Sequence, residues 1–501
     1  MFERECLQAS FVNSDMYRFA SKVKYNSQNA EYEHLPEEKK NRPVRCDTCW
    51  NTYHAFGLGR INSRGIFVLF LVVFCVILMI LNVYELHHFD SNSHPVVSWP
   101  DKVSEKNALR KPGFAVYGKN VNHFPGSGYI TQKVDLATSG IPYIPRAFRI
   151  PADIEKLFQY VKVNADALFV QKSNDHRGIS IKKVEDLNLE VKGTFVQEYV
   201  SRPLLIDGHK FDIGVYTIQT SIDPLRVYIY NGDMILRFCP EKYHPFDPNV
   251  LDKYVVGDDY LPTWEVPSLK KYYIDLGFSM KESLSAHLRY TGKDPNKIWD
   301  QIDDALRHTY LKTEPLMIKS ASNYRSKRNF FELVRFDFVV DEDLNVYIME
   351  ANMSPNLSSQ HFPPNRILYE QVLFNMLSLV GVGRRIHGNS LRPRSREEEV
   401  MQVTDKNLAV FPDVCASKLC RSSCVSPDCQ LCKPCLTPET VDVLKDAYME
   451  HINRQDCKRI FPPHMTVKEA KKGVKLEEYS PENQLMYRWF QGKCLIDQTW
   501  C

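Results

Sequence analysis

Charge of one sign is what this sequence most conspicuously lacks. Sixty-four Lys and Arg face 61 Asp and Glu, a formal +3 over 501 residues. So small a surplus gives no argument for nucleic acid as a partner, and an acidic partner would have to be met by a local basic surface. No internal repeat is present, and the 44% hydrophobic, 25% charged composition is that of an ordinary globular protein with room for two or three domains. Long apolar runs are missing too, with one exception. Ile66 to Leu81 is uninterrupted, and only Asn82 precedes Val83 and Tyr84. At about 1.5 Å per residue, 66–84 reaches roughly the thickness of a bilayer's hydrocarbon core. It reads as a single transmembrane helix, with the lipid bilayer as its partner, and not as a secretory signal peptide, because the polar tail 1–65 precedes it. Lys39, Lys40, Arg42, Arg45, Arg60 and Arg64 lie before the span, whereas Glu85, Asp90 and Asp101 follow it with no cation until Lys102. That bias predicts a single-pass protein with a cytosolic N-terminus and a lumenal or extracellular body.

After a linker at 85–114, rich in His, Ser, Pro and Asn, short β-rich runs alternate with helical stretches, as in an α/β (α+β) body over 115–385. Phe195–Tyr199 and Phe211–Gln219 are strand-like, with Asp207-Gly208 turning the chain between them. Arg226–Tyr230 and Met234–Phe238 flank Asn231-Gly232, a pair that predicts a type I′ β-hairpin. A helix is expected after Asp294-Pro295, with Ile298, Ile302 and Leu306 at helical spacing. A second hairpin follows, Phe331–Val340 and Leu344–Glu350, turning through Asp341-Glu342-Asp343. Residues 386–410 read as a charged linker and 411–501 as a Cys-rich region. Six of its cysteines, Cys415, Cys420, Cys424, Cys429, Cys432 and Cys435, fall within 21 residues, and Cys457, Cys494 and Cys501 come later. A reducing compartment would make Cys429-x-x-Cys432 half of a zinc site; a lumen would make disulfides, which the flanking charges favour.

The second hairpin carries the least ordinary residues. Asp337 stands among large apolar neighbours, and the return strand ends in Glu350-Ala351-Asn352. Glu350 and Asn352 share one face of an extended chain, and the hairpin brings Asp337 nearly opposite Glu350. Two carboxylates and an amide oxygen so placed suit Mg²⁺. The alternative is a separate salt bridge for each acid, for instance Asp337 with Arg335. Upstream, Leu168–Lys172 reads as a strand ending in a lysine, before the polar loop Ser173–Gly178. A lysine there can neutralise a phosphate whose neighbours are cradled by loop N–H groups, although a solvated surface lysine is the commoner case. Gln197-Glu198-Tyr199-Val200 could lie along an adenine edge, and Lys210 and Asp212 share a strand side with Phe211 opposite.

In this order the motifs resemble the tubulin tyrosine ligase-like family. The resemblance rests on Phe195-Val196-Gln197-Glu198-Tyr199, on Pro203 to Asp212, on Phe331-Glu332-Leu333 with Phe336-Asp337, and on Met349 to Leu357. It implies the ATP-grasp fold and ATP-dependent addition of L-glutamate to protein carboxylates, typically the acidic tails of tubulin in microtubules, through an acylphosphate. Lys172 would contact the nucleotide phosphates and Arg177-Gly178 would close over them. Gln197, Glu198, Tyr199 and Val200 would hold adenine, and Lys210, Phe211 and Asp212 would complete the pocket. Asp337, Glu350 and Asn352 would bind Mg²⁺, two ions in all, and Arg237 would grip a substrate carboxylate. Three positions depart from the family pattern: Gly214 replaces an arginine, Lys253 a neutral amide and Ser173 a proline. Arg335 stands where a small residue is usual, and is expected to reach the phosphates in place of the missing arginine.

Tubulin tails are cytosolic, so the expected lumenal body conflicts with tubulin as acceptor. Three readings stay open: a tubulin glutamylase with a cytosolic body, an inactive nucleotide-binding scaffold, and a lumenal ligase for another carboxylate.

Overall fold

The computed structural model describes residues 116–117, 120–172, 179–324, 327–382 and 403–501, all within the unit Glu105–Cys501. The tail 1–65, the apolar run 66–84, the linker 85–114, most of the linker 386–410, Ser173 and the candidates Arg177 and Gly178 lie outside the described residues. Among the described residues no helix is long and apolar enough to cross a membrane.

A short helix, α1 (Lys133–Ala137), precedes a four-stranded antiparallel sheet. Its strands are β1 (Ala147–Ile150), β2 (Phe169–Lys172), β3 (Ser180–Lys182) and β4 (Thr194–Glu198), in the order β1-β4-β2-β3. Alternation divides the faces. Phe169 and Val196 pack with Leu157 of α2 (Ile154–Val163), and Val170 and Ile181 join Tyr199, Tyr243 and Tyr254 on the other side.

A ten-stranded mixed sheet forms the main body. Asp207 and Gly208, at φ 51° and 88°, make the expected tight turn into β5 (His209–Ile222). This long strand is followed by β6 (Leu225–Tyr230) and β7 (Ile235–Phe238). The helix α3 (Asn296–Ala321), which buries Ile298, Ile302 and Leu306 as its spacing predicts, leads to β8 (Phe330–Val340) and β9 (Val346–Asn352), paired antiparallel as the second hairpin. Thr217 meets Tyr310 of α3 at 2.6 Å on one face. On the other, Gln371 of α4 (Arg366–Leu379) accepts from the Tyr230 hydroxyl at 2.8 Å. Cover on both faces explains why β5 and β8 are buried along almost their whole length.

The hairpin expected at Asn231-Gly232 does not form. A type I′ turn needs positive φ at both central residues, and neither is among the positive-φ residues. Instead β6 and β7 lie end to end along one edge of β5, with Ile229 opposite Thr217 and Ile235 opposite Gly214. Six steps on one side face three on the other, and the surplus loops out at 231–234. At fourteen residues, β5 is long enough to pair with both strands, and the true reversal is at Asp223-Pro224, between paired Ile222 and Leu225. The local signal was outcompeted by a strand that could satisfy both partners.

Residues 403–501 are built onto this body. Helices α5 (Pro438–Ile452) and α6 (Pro481–Ile496) flank β10 (Cys457–Phe461), which pairs with β6 and so extends the main sheet. Glu450 of α5 is buried and accepts from Arg226 Nε and Nη2 at 2.8 and 3.0 Å, from Tyr228 at 3.1 Å and from Thr220 at 2.9 Å. Asn483 of α6 accepts from the Leu225 N–H at 2.7 Å and donates to Glu314 of α3 at 2.8 Å. The cysteines form disulfides, Cys415–Cys432, Cys420–Cys429, Cys424–Cys435 and Cys494–Cys501. Both members of Cys429-x-x-Cys432 are thereby used, in different bridges, and the zinc alternative is not realised. Cys239 and Cys457 are free and buried.

Two outcomes follow from this layer. Glu450→Ala strands the buried Arg226 cation and is expected to destabilise folding by about 3–5 kcal/mol, measured by chemical denaturation. Peptide mapping without reductant should recover the four bridges, with Cys239 and Cys457 alkylated only after unfolding. A linkage between Cys457 and any other cysteine would refute the pairing.

Candidate active site at the meeting of the two sheets

The return of β9 along β8 sets Asp337 opposite Glu350 and Arg335 opposite Asn352, with a register shift immediately after Asp337. Such irregularities re-aim side chains. Here Asn352 Nδ2 donates to both acids, at 3.3 Å to Asp337 Oδ2 and 3.1 Å to Glu350 Oε1. The three residues singled out from the sequence do converge.

On β5 the two-residue period puts Lys210, Asp212 and Gly214 on one side. Phe211 lies on the other, its ring 5.2 Å from that of Phe238, so it supports the strand and does not share the side of Lys210 and Asp212. Opposite Asp212 on β7 is Arg237. It grips Asp212 through Nε and Nη2 at 2.9 and 2.8 Å and reaches Asp337 at 3.0 Å. Arg335 takes both oxygens of Asp337, at 2.7 and 2.9 Å. The salt-bridge alternative for Asp337 is therefore the arrangement adopted.

From the smaller sheet, Lys172 stands 3.4 Å from Gln197 Oε1 and within electrostatic reach of Glu350, Lys133 and Lys210. The remaining adenine candidates are partly committed. The Glu198 and Tyr199 N–H groups bond the Arg146 and Leu168 carbonyls at 2.8 Å each. The Glu198 carboxylate accepts from Tyr160 at 2.8 Å, and the Tyr199 hydroxyl donates to Tyr243 at 3.2 Å. Val200 is half-buried beyond the end of β4. Lys253 bonds the Pro245 carbonyl at 2.7 Å. Sequence reasoning missed Lys133, which pairs with Glu350 at 3.2 Å. It sits in a five-residue helix far away in the chain, and nothing in its neighbours marks it.

Burial disfavours charge throughout the cluster, and opposite charges oppose that. Burial pushes Asp212 up to about 6 despite Arg237. For Glu350 burial is outweighed by Lys133, the Asn352 hydrogen bond and Lys172, which hold it at about 2. Burial lowers Lys172 to about 8, with Glu350 opposing, and also lowers Lys210, whose Nζ bonds the Tyr254 carbonyl at 2.7 Å. Among the described residues five cations, Lys133, Lys172, Lys210, Arg237 and Arg335, thus face three carboxylates. Such a surplus accepts a polyanion. For a divalent cation, Glu350, with a third of its side chain exposed, and the Asn352 amide are suitable hard donors. Asp337 is not, since arginines occupy both its oxygens. Among the described residues no group of three or more His, Cys, Asp or Glu is placed to hold a metal. A cavity of about 270 Å³ lined by His451, Arg454, Lys458, Arg459 and Trp500 lies in the C-terminal layer and shares no residue with this site.

Residues 114–386 match the model of the tubulin-tyrosine ligase family. The chain belongs to that family. It is accordingly a ligase of the tubulin-tyrosine ligase type. It is 45% identical over 388 residues to the probable tubulin polyglutamylase ttll-15 of Caenorhabditis elegans, covering 76% of this chain and 73% of the nematode protein. Identity is 26% over 313 residues with the zebrafish tubulin polyglutamylase ttll6, 56% and 40% of the two chains. It is 27% over 394 residues with the human tubulin monoglutamylase TTLL4, 72% and 32% of the two chains. The chain thus spans most of the nematode relative and well under half of the other two.

If Lys172 meets phosphate, its charge is fully present below about pH 8 and is lost above it. Affinity for a non-hydrolysable ATP analogue, followed by calorimetry, should be level below that pH and weaken above it. Lys172→Gln should flatten the profile and reduce affinity on the order of ten- to a hundredfold, the worth of one charged hydrogen bond.

Proposed function

We propose that this ligase uses ATP, with Mg²⁺, to add L-glutamate to carboxylate side chains of tubulin tails. The observation that carries the reading is the five-to-three excess of cations over carboxylates gathered where the two sheets meet. The names of the nematode, zebrafish and human relatives support glutamate as the amino acid and tubulin as the acceptor.

A carboxylate is a poor acylating agent, and the reaction brings it against a triphosphate of the same charge sign. Lys172 and Lys210 would neutralise phosphate oxygens, Arg237 would steady the acceptor carboxylate, and Glu350 with Asn352 would hold a divalent ion, which would supply further positive charge there. Transfer of the γ-phosphoryl group to the acceptor oxygen releases ADP and leaves an acylphosphate. Attack by the glutamate amine on that carbon then forms the amide and expels phosphate. The protein's share is alignment and charge neutralisation.

A second reading has an observation of its own. Four disulfides would suit an oxidising compartment, and the charges flanking 66–84 favour the body on that side. On that reading the chemistry is unchanged and the acceptor is a lumenal carboxylate.

Labelled glutamate should enter tubulin in the presence of ATP, and Glu350→Gln should reduce incorporation on the order of a hundredfold or more, as removing a group aimed at developing charge does. Protease treatment of intact vesicles separates the readings. Digestion of the C-terminal half without detergent supports tubulin, and protection, together with silence toward tubulin, rules it out.

A further inference from the structure

We infer that Arg335 is a built-in cation of this site: it occupies Asp337 so completely that one divalent ion, held through Glu350 and Asn352, serves where the family resemblance implies two. The inference rests on the reading of this charged cluster as a nucleotide site.

Asp337 is 2% exposed. Its Oδ1 accepts from Arg335 Nε at 2.7 Å, and its Oδ2 from Arg335 Nη2 at 2.9 Å, Arg237 Nη2 at 3.0 Å and Asn352 Nδ2 at 3.3 Å. A carboxylate offers about four lone-pair positions, two on each oxygen; Oδ2 carries three donors, and the one position left on Oδ1 lies beside the Arg335 stem and Gly214, so a metal could bind Asp337 only by displacing a guanidinium. Displacing a guanidinium to make room would strand a cation that is 8% exposed and has no other carboxylate partner among the described residues. Glu350 differs, because it lies partly in solvent and is held by no arginine among the described residues.

The neighbouring strand shows that the arrangement is built in. Gly214 lies directly across from Asp337 on β5. A Cβ there would stand 3.1 Å from Arg335 Cδ, 3.2 Å from Asp337 Oδ1 and 2.5 Å from Ile235 Cγ2. The φ of Gly214 is not positive, so the glycine is required by space and not by backbone conformation. The stem of Arg335 runs through the volume that a side chain at 214 would fill. Gly214 and Arg335 are therefore two halves of one exchange, in which the guanidinium is supplied from β8 instead of β5. Arg335 Nη1 has no hydrogen-bond partner among the described residues, which leaves a donor for a phosphate oxygen.

The test counts ions on the full chain, with Mn²⁺ as the paramagnetic probe and a non-hydrolysable ATP analogue, by the loss of the free Mn²⁺ resonance. One Mn²⁺ per bound nucleotide is expected for the native chain, and Glu350→Gln should weaken that ion at least tenfold. Arg335→Gly should weaken nucleotide binding at low Mn²⁺ at least tenfold and raise the count toward two as Asp337 is released. If thermal unfolding shows that variant to be misfolded, Arg335→Lys keeps the charge but cannot bridge both oxygens, and should admit a weaker second ion. Two ions on the native chain, or a count unmoved by every folded Arg335 variant, would overturn the assignment while leaving the nucleotide site standing. A chain that binds no nucleotide at all would overturn both.

Discussion

Asp212, Arg237, Asp337 and Arg335 alternate in sign across β7, β5 and β8, so that losing Arg237 strands Asp212 and losing Asp337 strands Arg335. Taking such groups out of water costs several kcal/mol each, and it is offset only when geometry is good and the remaining polar atoms are satisfied. The geometry is good here, because each carboxylate meets a guanidinium through two bonds. A slip of one residue in any of the three strands would turn one member to the wrong face and leave its partners uncompensated. The cluster thus couples register to electrostatics. Strands buried on both faces gain little register from an inside–outside pattern, and these ions supply that specification.

The same coupling explains what could be foreseen from the residues. Strong local patterns translated directly: the helix after Asp294-Pro295, the hairpin ending in Glu350 and Asn352, and the turn at Asp207-Gly208 are all present. Asn231-Gly232 failed because a turn preference worth little on its own met a neighbouring strand long enough to pair with both flanking segments. Lys133 was invisible because a lone lysine in a five-residue helix carries no periodic signal. Phe211 was placed on the correct side of its strand by the two-residue period, yet only packing against Phe238 shows that it is core. Composition and motif locate a charged site well. They do not say which of its members cancel each other.

The C-terminal layer bears on the same sheet. β10 adds to β6, and Glu450 of α5 neutralises Arg226 on that strand. Because β6 and β7 share one edge of β5, anything that holds β6 in place also holds the frame from which Arg237 projects. A region that reads from its cysteines as a tail is therefore mechanically part of the ligase body.

A fixed guanidinium and a mobile divalent ion do different work. The ion adapts its coordination as phosphates move, and its occupancy falls with its concentration; a buried arginine is always present but has one geometry. With Arg335 locked onto Asp337, the charge nearest that acid is independent of ionic supply. What remains adjustable is the exposed side of the cluster, at Glu350, Lys133 and Asn352. On the proposed nucleotide reading, rigid cations at the buried end and an exchangeable one beside the part-exposed Glu350 would put the adaptable part of the site on its solvent side.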